Sequence, residues 1–372
     1  MGRIFRSFFQ AGYECSTHKL EDGKRLDLLR STRHDEFTEQ DYARLGEFGI
    51  QTVREGIRWT LIEPRPGDYD FSTVRPFLKA ARNQNVEIVW DLLHFGWPDY
   101  LDIFEPSWVE AFAGLAAAFA RLLRAEGDPP WLIAPVNEIS FMAWAGGDVA
   151  CLNPYRRGCG HELKRQLVRG FLAAQKEVRA VLGNVTIVSP EPVIHIVGRP
   201  ELPGDDIEAE NYRRSMFESW DMLLGRAHPE LGGTGNAVDV IGVNYYDRNQ
   251  WRNLAETLHP GDREYRPFSE ILAEVYERYR RPLFVAETGT EGECRPEWLR
   301  YIAGEVLAAK RMHIPVEGIC LYPILNHPGW VDDRHCLNGL WDYADDTGSR
   351  EIFEPLAREI RAQRNLIQGA EV

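Results

Sequence analysis

The chain has 372 residues, of which 44% are hydrophobic and 27% charged, and a formal net charge of −14. That composition is of a globular protein able to bury a large core, and the acidic balance argues against nucleic acid and anionic membrane surfaces as partners. The greasiest stretch, residues 111–120, is too short to span a bilayer and runs into Arg121 and Arg124. The opening Met1-Gly2-Arg3-Ile4-Phe5-Arg6 carries no signal-peptide pattern, so the expected location is cytoplasmic. Six cysteines are few for this length and read as reduced thiols; Cys151, Cys159 and His161 form a loose group whose spacing fits no structural zinc pattern. No metal and no cofactor is expected, and the sequence leaves the oligomeric state open.

In chain order, short β-branched or aromatic runs alternate with amphipathic stretches. The predicted strands are 8–15, 51–57, 86–92, 132–137, 185–189, 238–244, 283–287 and 318–322. Predicted helices between them include 38–48, 108–124, 162–182, 269–280 and 296–312. Strict alternation implies a parallel sheet, and eight units imply closure into an α/β barrel of the (β/α)8, or TIM, type. The rival is an open doubly wound sheet, whose nucleotide-binding form lacks support because no Gly-x-Gly-x-x-Gly follows a strand. With no linker or break in composition, residues 1–372 read as a single catalytic domain.

Such barrels build their sites at the C-terminal strand ends. The fourth predicted strand ends Val136-Asn137-Glu138 and the seventh Val285-Ala286-Glu287. Two carboxyls on separated strands can face each other across the mouth, as glycoside hydrolysis requires: one protonates the leaving oxygen while the other attacks the anomeric carbon. Arg54 on the second strand would hold Glu287 ionised, whereas a drier position and a nearby negative charge would keep Glu138 protonated. The plain alternative is that both glutamates are solvated loop residues.

These residues resemble glycoside hydrolase family 1, within the larger clan of retaining β-glycosidases. The likeness runs nearly end to end: His34 with Asp41, Leu45, Gly46 and Gly49; Val53-Arg54, Ile57 and Trp59; Leu93-His94-Phe95 with Pro98; Val136-Asn137-Glu138; Ile241-Gly242-Val243-Asn244-Tyr245-Tyr246; Glu287-Thr288-Gly289; Tyr322 to Trp330; and Gly339-Leu340-Trp341. The resemblance implies a retaining β-glycosidase acting by double displacement on a β-linked carbohydrate or glycoside, with Glu138 as acid/base and Glu287 as nucleophile. It further implies that Arg54 and Tyr246 contact the nucleophile, that Asn137 bonds the sugar 2-hydroxyl, that His94 binds another hydroxyl and that Trp330 offers a stacking face. Asn244 and Tyr246, two residues apart, project to one face of the strand, which favours Tyr246 over Tyr245.

Several positions depart from the family. Ile139 replaces the proline after the acid/base, Phe95 and Tyr322 replace tryptophans, and Gly329 stands where a sugar-gripping glutamate is usual. On the first strand Glu14 is the nearest polar candidate for the usual glutamine. The space at Gly329, bordered by Asn326, His327 and Trp330, suggests a sugar that is deoxygenated, substituted or anionic at its far edge, with His327 or an arginine as its contact. Each minor candidate has a plainer reading: a satisfied core histidine for His94, an ion-pair partner of Glu55 or Asp91 for Arg54, packing for Trp330 and Trp97, and a loop carboxylate for Glu191, otherwise placed on the aglycone side. Two other functions share the residues. One is a transglycosidase that resolves the same intermediate with an alcohol; the other is a non-catalytic carbohydrate-binding barrel.

Overall fold

In the computed structural model, which describes residues 3–370, eight parallel strands close into a barrel. Met1 and Gly2, at the start of the N-terminal reading above, and Glu371 and Val372 lie outside the described residues. The strands are β1 (Phe9–Gly12), β2 (Thr52–Gly56), β3 (Glu87–Leu93), β4 (Trp131–Val136), β5 (Val185–Pro192), β6 (Val240–Asn244), β7 (Leu283–Thr288) and β8 (Val316–Leu321). β1 closes the ring by pairing with both β2 and β8. The outer helices, in the same order, are α1 (His34–Leu45), α2 (Arg75–Gln84), α3 (Pro106–Glu126), α4 (Gly160–Leu182), α5 (Glu218–Leu223), α6 (Phe268–Tyr279), α7 (Arg295–Arg311) and α8 (Glu354–Ala370). The (β/α)8 barrel expected from strand–helix alternation is therefore the fold, and every predicted strand overlaps an observed one. β5 differs most: it pairs with β6 on through Pro192 rather than stopping at Ser189.

Period-two alternation sorts the strand residues into two cores. Outward side chains such as Val53, Ile88, Trp90, Ile241, Val243, Leu283 and Val285 join one large cluster against the helices. Inward side chains at the lower end, Val89, Leu132, Ala134, Val188, Val240, Phe284 and Ala286, form a second cluster. Phe5, from the segment before β1, plugs this cluster with its ring 4.9 Å from that of Phe284. The next inward layer is polar, and there the site begins. Among the described residues no helix is long and apolar enough to cross a membrane.

Candidate active site

Arg54 points into the barrel from β2, while its neighbour Glu55 points out. Glu55 accepts from His34 Nε2 (2.8 Å) and the Tyr42 hydroxyl (2.7 Å), and His34 Nδ1 lies 2.7 Å from Asp41. That buried clamp ties the outer face of β2 to α1. On the inner face the Arg54 guanidinium reaches Glu287 Oε1 (2.7 Å), Asn137 Oδ1 (2.6 Å) and Asp91 Oδ2 (2.9 Å). Arg54 and Asp91 are fully buried, so each charge has its partner where water cannot supply one. Arg54 thus joins two carboxylates, Asp91 and Glu287, and does not pair with Glu55.

Glu287 owes its direction to an irregularity. Along β7, Leu283 and Val285 face the helices, and strict alternation would send residue 287 the same way. The pairing with β6 steps from Val243↔Val285 to Asn244↔Glu287, one residue on β6 against two on β7. The pairing with β8 is irregular over the same stretch. This bulge turns Glu287 into the mouth. Its second oxygen, Oε2, accepts from the Tyr246 hydroxyl at 2.8 Å. Burial, reinforced by the Glu287 charge, pushes the Tyr246 hydroxyl well above the usual phenol range, so it stays a donor. Tyr245 faces outward and stacks on Phe268 at 4.1 Å.

Glu138 follows β4 in a left-handed conformation (φ +50°) that non-glycine residues seldom adopt. Its neighbours hold it there. Its backbone N–H bonds Pro190 O (3.0 Å), and the next two N–H groups, of Ile139 and Ser140, donate to Glu191 Oε1 and Oε2, both at 2.9 Å. Glu191 is fully buried at the end of β5, and burial raises its carboxyl to about 7. The Glu138 carboxyl accepts from Asn244 Nδ2 at 2.8 Å. Burial first, then the Glu287 charge, raises it to about 8. The two glutamates therefore sit in opposite surroundings: Glu287 is tied to a cation and a hydroxyl, Glu138 is dry and faces negative charge.

Around this pair the structure gathers most of the predicted residues. Glu14, His94, Asn137, Glu138, Tyr246, Glu287, Tyr322 and Trp330 line one cavity of about 1260 Å³. Asn244 stands behind it, bonded to Glu138. His94 Nδ1 is 3.2 Å from Asp91, and its Nε2 is 3.3 Å from Asn137 Nδ2. Trp330 packs edge-on against His18 (4.9 Å) and Phe95 (5.8 Å). Glu14 accepts from the Ser16 N–H (3.0 Å) and hydroxyl (2.5 Å). Its carboxyl lies below the usual range: burial opposes this, but His94, His327 and Ser16 outweigh it. Gly12 allows Tyr322 to lie across the mouth, because a Cβ there would sit 2.1 Å from the ring.

Three predicted residues take other places. Glu191 does not line the cavity; it holds the turn that carries Glu138. His327 is also outside the lining, with Nδ1 2.8 Å from Pro328 O and Nε2 2.9 Å from Asn338 Nδ2, so neither nitrogen is left for a sugar. The space expected at Gly329 is filled, since a Cβ there would meet Asp332 Oδ1 at 2.2 Å. Trp97 is buried in the outer core. Asp91, read from sequence only as an ion-pair partner, proves to bridge Arg54 and His94; its place two residues below the end of β3 was the available signal.

Among the described residues the one group with metal-ligand chemistry is Cys15, Asp91 and His94, whose candidate atoms lie within 4.8 Å of one another. Asp91 is already engaged by Arg54, and a cation there would share the carboxylate with a fixed guanidinium. Cys151 and Cys159 are free thiols outside that group.

No family model and no curated protein matches the chain, but solved structures do. The family 1 β-glucosidase from Thermotoga maritima aligns with a TM-score of 0.75 at 14% identity, covering 100% of this chain and 98% of that one. The β-glycosidase from Thermosphaera aggregans aligns at 0.78 and 14% identity, covering both chains fully at 100%. The Thermotoga enzyme has also been solved with glucoimidazole bound (TM-score 0.77, 14% identity, 99% of each chain covered). Across its whole length, and at very low identity, the chain has the barrel fold of the family 1 β-glucosidases.

Proposed function

We propose that the protein is a retaining β-glycosidase. The observation that carries this reading is the contrast between Glu138, raised to about 8, and Glu287, held by Arg54 and Tyr246. In the first step a Glu287 oxygen attacks the anomeric carbon while the Glu138 proton passes to the departing glycosidic oxygen. The C–O bond breaks, an alcohol leaves, and the sugar is esterified to Glu287. In the second step the Glu138 carboxylate takes a proton from water, whose oxygen attacks the same carbon. The ester bond breaks, the sugar leaves with its anomeric configuration retained, and Glu138 again holds its proton. Asn244 Nδ2 occupies Glu138 Oε1, which leaves Oε2 to carry the proton. Asn137, positioned by Arg54, and His94 serve the sugar hydroxyls, and Trp330 gives its ring a face to pack on.

Glu14 lines the same cavity, and its carboxylate can accept from sugar hydroxyls. A non-catalytic carbohydrate-binding barrel has no use for a carboxyl kept protonated beside a carboxylate tied to an arginine.

The test is turnover of activated aryl β-glycosides with the product anomer followed by NMR. Retention, together with a glycosyl adduct on Glu287 trapped by a 2-fluoro glycoside and found by mass spectrometry, is the expected result. The two carboxyls should then stand about 5–5.5 Å apart in the complex. Inversion, or an adduct elsewhere, overturns the double displacement.

A further inference from the structure

Three nitrogens converge on the two oxygens of Asp91, a residue with no exposed surface. Arg54 Nε donates to Oδ1 at 3.2 Å, Arg54 Nη2 lies 2.9 Å from Oδ2, and His94 Nδ1 is 3.2 Å from the same Oδ2. Only a carboxylate offers an acceptor in each of these directions. An amide has one oxygen. Turned one way its N–H would face Arg54 Nε; turned the other it would face Arg54 Nη2 and His94 Nδ1.

Asn137 closes the ring of contacts from the other side. Arg54 can only donate, so the Asn137 atom 2.6 Å from Nη2 is its oxygen, and its amide nitrogen is the atom 3.3 Å from His94 Nε2. An N–H aimed at Nε2 requires a lone pair there, and the ring proton then sits on Nδ1, where Asp91 accepts it. The Tyr322 hydroxyl, 3.5 Å from Nε2, is raised well above the usual phenol range, first by burial, and so also arrives as a donor. Burial opposes a second ring proton, whereas Cys15 and Asp91 pull the ring well above the usual imidazole range. The Cys15 share needs a thiolate, and burial pushes that thiol up, so it is uncharged at neutral pH. Asp91 already shares its charge with Arg54, and a charged ring would set an N–H against the N–H of Asn137. Both contacts at Nε2 are long and His94 lines the cavity, so the lone pair is open to a sugar hydroxyl.

We infer that Asp91 is a positioning residue: it holds His94 in the form protonated at Nδ1, so that Nε2 accepts and the sugar hydroxyl it meets must donate. This consequence for the sugar rests on the glycosidase reading above and deepens it. Fluorine can accept but not donate, so in place of that hydroxyl it should fare no better than hydrogen.

The first measurement needs no substrate. Nitrogen-15 spectra of the histidine rings, with the His94 signal identified by its loss in His94→Gln, should show one proton, on Nδ1, in the wild type at neutral pH. Asp91→Asn should move it to Nε2. A wild-type ring with its proton on Nε2, or with two protons, overturns the inference whether or not the variant folds. Asp91→Asn with the proton still on Nδ1 overturns the role of Asp91. The second measurement compares dissociation constants of methyl β-glucoside and its 3-, 4- and 6-deoxy and deoxyfluoro analogues on the inactive variant Glu287→Gln. At one position fluorine and hydrogen should weaken binding alike, each by about fivefold or more, and adding Asp91→Asn should make the fluoro analogue bind at least about threefold better than the deoxy one. Fluorine tolerated better than hydrogen at all three positions in Glu287→Gln overturns the donor requirement. If no glycoside is bound or turned over, the glycosidase reading falls, and the spectrum still decides the state of His94.

Discussion

The two ends of the barrel are made by the same strands and differ in almost everything else. At the lower end, inward positions carry Val89, Leu132, Val240 and Phe284, sealed by Phe5. One layer up, the same faces of β3 and β6 carry Asp91 and Asn244, and β2 adds Arg54. The lower layer stabilises the fold by removing apolar surface from water. The upper layer stores unlike and like charges in a dry place, where they are costly unless paired. Stability and chemistry are stacked along one axis, so that each can be altered separately.

The sharpest test of that separation is Glu287→Ala. It removes the proposed nucleophile of both steps and should lower turnover by about ten-thousandfold or more, with the fold intact by circular dichroism. A residual rate within about a hundredfold of the wild type would end the assignment. Phe284→Ala is the opposite case: it should cost about 3–5 kcal/mol in denaturant unfolding while kcat per folded molecule stays within about threefold. A large kcat loss there would show that the two layers are coupled.

Arg54→Lys keeps the charge but loses the fork that reaches Glu287, Asn137 and Asp91 together. Turnover should fall about a hundredfold, more than stability does. Unchanged turnover would make Arg54 a structural residue.

Glu138 supplies a pH test. Its carboxyl is raised to about 8 in the fold from an ordinary 4.5, first by burial and then by Glu287. The protonated form is the active acid, so kcat/KM should fall as pH rises through about 8. The fold binds this proton more tightly than the unfolded chain does. The stabilisation is therefore complete below about 4.5 and is lost as pH rises through about 8. Glu138→Gln should gain in Tm relative to wild type between pH 5 and pH 9; a pH-independent difference would contradict the buried, protonated carboxyl.

The smallest effect expected is at Glu191. Its charge adds to the rise at Glu138, and its carboxylate holds the turn. Glu191→Gln should move the basic limb of the activity profile to lower pH by under about one unit. A limb that stays put while stability alone drops would leave Glu191 a structural cap.

Alternation of strand and helix was legible in the chain because buried parallel strands are short apolar runs, and their ends are where a barrel carries its site. That reasoning reached Glu138, Glu287 and Arg54 one at a time, from strand position; the resemblance to family 1 added Tyr246, which period favours over Tyr245. It did not reach what turns them toward one another. By period alone Glu287 faces the helices, and the β7 bulge that reverses it is written in no motif. The left-handed turn at Glu138 depends on a carboxylate from β5, and the roles imagined for His327 and Gly329 failed on contacts made within their own hairpin. What the sequence determined by itself is the barrel and the identity of its strand-end residues, because both follow from local periodicity. Which of those residues meet, which carboxyl is dry and which is paired, was decided only by tertiary structure, because burial and charge pairing belong to neighbours distant in the chain.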